Sequence, residues 1–221
     1  MQSGKHLVTA PFNAGKTTFI KRLKVQLQVN GINPVYLSLD NYYVDRLKTP
    51  RDSNGELNFE TFDALRVDLL QDHLGSLHGG DEVTTARYDF PSGISHPSGG
   101  RTLRLGPSDI VMLEGIHGLN PRLLQNLPER CIFRIYICPL AQLPFERLSR
   151  VHASDIRLLR RIVRDRHGRG LSAADNISRW PSVRRGERKK IYPHQDNADA
   201  IFDSSIIYEM SVLKVYAERY L

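Results

Sequence analysis

Short apolar runs and amphipathic stretches alternate along this chain. HLVTA, beginning at His6, has the length and composition of a buried strand. A helix is expected from about Thr17 to Asn30, with Ile20, Leu23, Leu27 and Val29 at helical spacing and Gly31 where a left-handed cap belongs. PVYLSLD is a second strand, ending in Asp40 and expected beside HLVTA in the sheet. A helix from about Phe62 to Leu77 is stopped by Gly79 and Gly80. TTARYDF and RTLRL then read as the two strands of one hairpin over about 83–105, joined by a turn rich in Gly, Pro and Ser. DIVMLEG is a fully apolar strand with Glu114 at its end, CIFRIYIC is another strand, and ADAIFDSS is the last. This alternation predicts an α/β fold, with a mostly parallel sheet covered by helices on both faces. Ligands of such sheets gather at the carboxyl ends of the strands, where Asp40 and Glu114 both fall.

Composition narrows the picture. A chain of 221 residues with 40% hydrophobic and 25% charged side chains suits one soluble domain over 1–221. No apolar run approaches the ~20 residues needed to span a bilayer, and the N-terminus is not a signal peptide. The two cysteines, Cys131 and Cys138, lie in one strand at an odd separation, which points them to opposite faces and argues against a disulfide. A cytoplasmic location is the resulting default. The net charge of +7 is concentrated: 146–190 holds fourteen Lys and Arg against five Asp and Glu, the rest seventeen against nineteen. A patch of this kind suits phosphates held in one place.

The stretch TAPFNAGKTTFI supplies a place to hold them. A phosphate-binding loop works through backbone N–H groups, a helix N-terminus, a lysine on the outer phosphates and a hydroxyl on magnesium. Gly15, Lys16 and Thr17 provide the last glycine, the lysine and the hydroxyl, between a strand and a helix. Residues Ala10, Pro11, Phe12, Asn13, Ala14, Gly15, Lys16, Thr17 and Thr18 form the expected cradle for ATP. Ala10 replaces the first glycine of the pattern, a small intrusion of one methyl group. Glu114 is placed to hold Mg2+ with Thr17. Asp40 can take the proton of an attacking hydroxyl. In SDIRLLRRIVRDRHGRG, Asp155 caps a helix whose Arg157, Arg160, Arg161 and Arg164 share one face, opposite Ile156, Leu159 and Val163. Acidic partners at i+4 are mostly missing, so this face is expected to serve the moving phosphoryl group. Gly168 and Gly170 would let the region over about 155–190 act as a lid.

Together, AGKTTFIKRL, NPVYLSLDNYYVDR, MLEGIHGLNP, DIRLLRRIVRD, RWPSVRRGE and QDNADAIFDSS resemble the uridine kinase / phosphoribulokinase family of P-loop kinases. The closest likeness is to a bacterial uridine-kinase-like branch that often follows a threonyl-tRNA-synthetase-like segment. The resemblance implies a P-loop NTPase fold with a small hairpin over the acceptor site and an Arg-rich helical lid. It implies ATP and Mg2+, Asp40, Lys16 and Arg160 as catalytic groups, and Thr17 and Glu114 as metal ligands. Acceptor contacts would come from Phe59, Tyr88, Phe90, His117, Arg157 and Arg169. The loop departs from the family's serine-rich form at Phe12, Asn13 and Ala14. Glu60 stands where uridine kinases commonly carry aspartate, and its extra length argues against strict selection of pyrimidine ribonucleosides.

The expected activity is transfer of phosphate from ATP to a hydroxyl, the 5′ one by resemblance, of a nucleoside such as uridine or cytidine. Two alternatives stay open: another sugar or polyol acceptor, or a non-catalytic nucleotide-binding or RNA-associated module. Retention of Asp40 and Glu114 favours catalysis, since a binding module needs no base. The expected partner is a small-molecule acceptor, with neither membrane nor nucleic acid, and a homo-oligomer is left open.

Overall fold

In the computed structural model, residues 5–9, 14–52, 55–140, 152–168 and 170–221 are described, the first of these stretches by its backbone. A five-stranded parallel sheet organises the chain. Its strands are β1 (Lys5–Thr9), β2 (Asn33–Ser38), β7 (Asp109–Gly115), β8 (Ile132–Cys138) and β9 (Ala200–Asp203), in the spatial order β2-β7-β1-β8-β9. Two helices cover opposite faces. From α1 (Lys16–Val29), Ile20 packs with Ile110, Met112 and Ile137. From α2 (Val67–Gly79), Leu70, Leu74 and Leu77 pack with Leu37, Val111 and Leu113. Alternate residues of β7 thus feed two cores, which is why DIVMLEG is apolar at every inner position.

The register of the sheet sets the site. Glu114 lies opposite Val8 of β1 on one side and Ser38 of β2 on the other. The strand bearing Asp40 was expected beside the strand that leads into the loop. Instead β7 separates them, so the Asp40 strand neighbours the Glu114 strand. Asp40 also lies past the end of β2, in a 3-10 turn over Leu39–Tyr42 whose start is capped by Ser38, its hydroxyl accepting from the Asp40 N–H at 3.3 Å. Side-chain capping of this kind diverts the chain out of the strand.

Between the sheet strands lies a nested hairpin, not the single pairing read from the sequence. β3 (Val83–Thr84) pairs with β6 (Thr102–Leu103), and β4 (Arg87–Asp89) pairs with β5 (Ile94–His96). The partner of RYD is therefore ISH. The second helix begins at Val67, later than expected, because Phe62–Ala64 forms a separate 3-10 turn. Cys138 ends β8 while Cys131 sits in the 3-10 turn before it, and both thiols are free and buried.

The basic segment forms α3 (Ala153–Gly168) and α4 (Ala173–Lys190), followed by α5 (Glu209–Ala217) at the end of the chain. The α4 start carries a reciprocal capping box between Ser172 and Asp175. The arginines of α3 do not form one open row. Arg157 is 1% exposed and paired with Glu187 of α4, also bonded to the Tyr192 hydroxyl at 3.2 Å and set over the Trp180 ring. Arg160 donates to Glu209 of α5 at 2.7 Å and to the Ser204 carbonyl at 2.9 Å. Arg161 and Arg164 meet Asp165, which is fully buried. Arg161 has its acidic partner one turn on, whereas those of Arg157 and Arg160 come from α4 and α5, 30 and 49 residues further along.

Candidate active site

Helix α1 starts where the phosphate loop ends. Gly15 adopts φ +86°, a left-handed conformation that side chains disfavour, and its carbonyl accepts from the Phe19 N–H at 3.0 Å. No side chain caps this helix start, and the first-turn N–H groups of an uncapped helix suit an anion. Residues Ala10, Pro11, Phe12 and Asn13 lie outside the described residues, as does Arg169. Ala14 is fully buried, while Thr17 and Thr18 are exposed on the first turn.

Lys16 is the electrostatic centre. Its burial pushes its pKa below the ordinary lysine value, against the opposing pull of the Glu114 and Asp40 carboxylates. Two acids and the lysine thus converge although 98 residues separate Lys16 from Glu114 in the sequence. Arg157 and Arg164 also reach Lys16 electrostatically and depress its pKa further. Arg160 approaches Gly15, its Nη1 lying 3.8 Å from where a methyl group on that glycine would sit.

Glu114 is buried, and both its oxygens are held. The Thr17 hydroxyl donates to Oε1 at 3.1 Å, and the Tyr36 hydroxyl donates to Oε2 at 2.7 Å. A hydroxyl that donates to a carboxylate keeps its lone pairs for a cation, so Thr17 and Glu114 form a hard-oxygen pair suited to Mg2+. Among the described residues no group of three His, Cys, Asp or Glu could hold a metal. Magnesium needs none, since phosphates and waters complete its shell. Tyr36 was not singled out from the sequence, where it reads as one more large residue of a strand.

The residues expected to meet the acceptor stand on loops and the hairpin. Phe59, Tyr43, Tyr88 and Phe90 form a chain of edge-to-face contacts with centroid distances of 5.4, 5.7 and 5.1 Å. Tyr43, three residues beyond Asp40, joins the expected aromatics and is hydrogen-bonded to the Asp40 carboxylate. Burial, and then that carboxylate, holds its phenol well above the usual pKa. The Tyr88 hydroxyl is buried and finds no hydrogen-bond partner among the described residues. His117 is 2% exposed and packs edge-on against Phe62 at 5.6 Å; among the described residues neither ring nitrogen has a partner of good geometry, although the Glu60 and Thr61 backbone lies near enough to act on the ring. Burial, aided by Lys190 and His194, pushes its pKa down to about 4, so the ring is neutral at pH 7.

Glu60 adds a charge to this side. Burial pushes its pKa up to about 7, against Arg161 and Arg185, which act to lower it. Its carboxylate lies so close to α4 that a methyl group on Gly186 would collide with it. Next to this region a cavity of about 630 Å³ opens between the start of α2 and the hairpin, lined by Val44, Phe62, Leu65, Arg66 and Arg122. It contains none of Lys16, Thr17, Asp40 or Glu114, and it meets the acceptor side through Phe62, the ring against His117. Arg157 stands apart from the aromatic chain, within the α3–α4 junction.

A parallel sheet, a Gly-Lys-Thr at the start of the helix that follows its first strand, and two carboxylates acting on that lysine define a phosphate-transferring P-loop fold. Residues 7–210 match the Phosphoribulokinase / Uridine kinase family, and the chain belongs to it. The chain is 30% identical over 189 residues to a uridine kinase of Staphylococcus aureus (strain JH9), covering 85% of this chain and 81% of that one. Two solved structures share the fold. One, titled a possible uridine kinase from Bacillus stearothermophilus, has a TM-score of 0.54 and 21% identity, covering 92% of this chain and 90% of the other. The other, a phosphoribulokinase from Rhodobacter spheroides, has a TM-score of 0.53 and 15% identity, covering 94% and 75%. The protein is an ATP-dependent kinase. These matches show the family and do not reach the synthetase-linked branch. No helix among the described residues is long and apolar enough to cross a membrane.

Proposed function

We propose that this kinase phosphorylates a hydroxyl, the 5′ one, of a nucleoside such as uridine or cytidine, acting as one domain with the hairpin over the acceptor and α3–α4 as a lid. The observation that carries the reading is the Thr17 hydroxyl bonded to the Glu114 carboxylate at 3.1 Å, beside a Lys16 whose charge both Glu114 and Asp40 act on. The loop from residue 10 through Thr18 cradles the triphosphate, and Lys16 meets the outer phosphates. Thr17 and Glu114 would hold Mg2+, which when bound neutralises charge on the transferring phosphates. Asp40 takes the proton as the acceptor oxygen bonds to the γ-phosphorus and the bond to ADP breaks. Tyr43 steadies that carboxylate. Arg160, anchored by Glu209 and Ser204 beside Gly15, meets charge on the moving group.

A flat base suits the aromatic chain of Phe59, Tyr88 and Phe90. The Tyr88 hydroxyl, without a hydrogen-bond partner among the described residues, and the neutral His117 ring suit its polar edge. A second reading rests on Arg161 and Arg185 near Glu60 and on Lys190 and His194 near His117. Those cations favour an anionic sugar, and the matched fold includes a protein titled phosphoribulokinase. A panel of nucleosides, polyols and sugar phosphates, followed by ADP release with Mg-ATP, decides between them. Turnover confined to sugar phosphates would replace the nucleoside reading, and the absence of any acceptor-dependent ADP release would remove both.

A further inference from the structure

Glu114 has to present a buried carboxylate to a cation without collapsing onto Lys16, which is coupled to it electrostatically. Something must fix the plane of that carboxylate, and Thr17 alone grips a single oxygen. The second grip comes from the neighbouring strand. In the β2–β7 register Tyr36 lies opposite Met112, two residues before Glu114 and on the same face of the sheet. Diagonal neighbours of this kind are within reach of a long aromatic side chain. The phenol crosses that diagonal and donates to Oε2 at 2.7 Å, the short distance of a bond to a charged acceptor. With Thr17 on Oε1, each oxygen receives one bond from the protein and keeps a further lone pair for the cation side.

Tyr36 is itself held in place. The Arg101 guanidinium, from the return arm of the hairpin, donates to the Tyr36 carbonyl at 3.3 Å. Among the described residues β2 is an edge strand with β7 as its sole sheet neighbour, so Tyr36 flanks Glu114 on the side away from β1. Ligands left to one hydrogen bond can rotate. Groups that orient a metal ligand from behind typically matter by about 10–100-fold in metal affinity.

We propose that Tyr36 is the positioning residue of the cation-binding carboxylate, its hydroxyl fixing Glu114 so that the Thr17–Glu114 oxygen pair is preorganised for Mg2+. The proposal rests on the reading of Glu114 as a cation-binding group, so the test measures the two together. Calorimetric ATP affinity is compared in Mg2+ and in EDTA for the wild type, Tyr36→Phe and Glu114→Gln. The ratio of the two affinities is the cation's contribution. Tyr36→Phe keeps the ring and its packing, and a near-native thermal midpoint checks that it folds.

In Tyr36→Phe this ratio should fall about 10–100-fold while affinity in EDTA stays within about twofold. Turnover at limiting Mg2+ should fall in step and recover as Mg2+ is raised, a rescue that damaged packing would not give. A ratio unchanged in Tyr36→Phe but lowered in Glu114→Gln would overturn the role of Tyr36. Equal losses with and without Mg2+ would overturn it too, by making Tyr36 a packing residue. A ratio unchanged in both variants would remove Glu114 from the cation site and the proposal with it.

Discussion

The two halves of the site are built differently. The groups expected to meet the phosphates stand at the end of β7, on the first turn of α1 and in the 3-10 turn after β2, and Glu114 among them is gripped at both oxygens. The groups expected to meet the acceptor stand on loops and a short hairpin, and among the described residues the buried Tyr88 hydroxyl finds no hydrogen-bond partner. A buried polar group without a partner costs about 1–3 kcal/mol, a cost that a bound acceptor could offset. On the proposed reading, the contrast places preorganisation on the phosphate side and acceptor choice on groups that a ligand would complete.

Phosphate-side changes should therefore act on rate. Asp40→Asn keeps the size of the side chain but cannot accept a proton. Single-turnover transfer should fall by ~10²–10⁴-fold, with calorimetric Mg-ATP affinity changed little, because Thr17 and Glu114 are untouched. Transfer surviving within about tenfold would make Asp40 a turn residue and leave the phosphate side without a base.

Lys16→Ala should lower turnover by about 10²–10³-fold through loss of charge facing the outer phosphates. It should also leave Glu114 and Asp40 without their shared cation. Wild-type turnover in this variant would break the assignment of the loop.

These phosphate-side groups were the legible ones. A strand, a Gly-Lys-Thr and a helix are contiguous, and an acid at the end of an apolar run announces itself locally. What pairs across the sheet does not. Tyr36 meets Glu114 through a register 78 residues apart, and the strand pattern treats it as one more apolar position. The arginines of α3 looked free because Glu187 and Glu209 lie on other helices. The strand order also escaped the sequence, since alternation of strands and helices does not say that β7 inserts between β1 and β2.

On the acceptor side, Tyr88→Phe separates a packing hydroxyl from a binding one. Removing a buried hydroxyl with no protein partner should leave the thermal midpoint unchanged or slightly raised. If the acceptor supplies the missing partner, its KM should rise by about tenfold with kcat nearly constant. A lowered midpoint with unchanged KM would show that the hydroxyl has a structural partner, and the contrast between the halves would lose its orphan.

The smallest effect belongs to Glu60, and it is read in pH. Burial raises its carboxyl to about 7 in the folded protein, from an ordinary 4.5. A raised folded pKa means that the folded state prefers the protonated form. Its contribution to stability is therefore fully present below about pH 4.5 and is lost as pH rises through about 7. Glu60→Gln is neutral at every pH and cannot show this loss. The thermal midpoint of the wild type relative to Glu60→Gln should fall by a few degrees between those two values, then level off. Parallel curves for wild type and Glu60→Gln would mean that Arg161 and Arg185 outweigh burial and hold the group ionised. Glu60 would then be a paired charge as complete as those on the phosphate side.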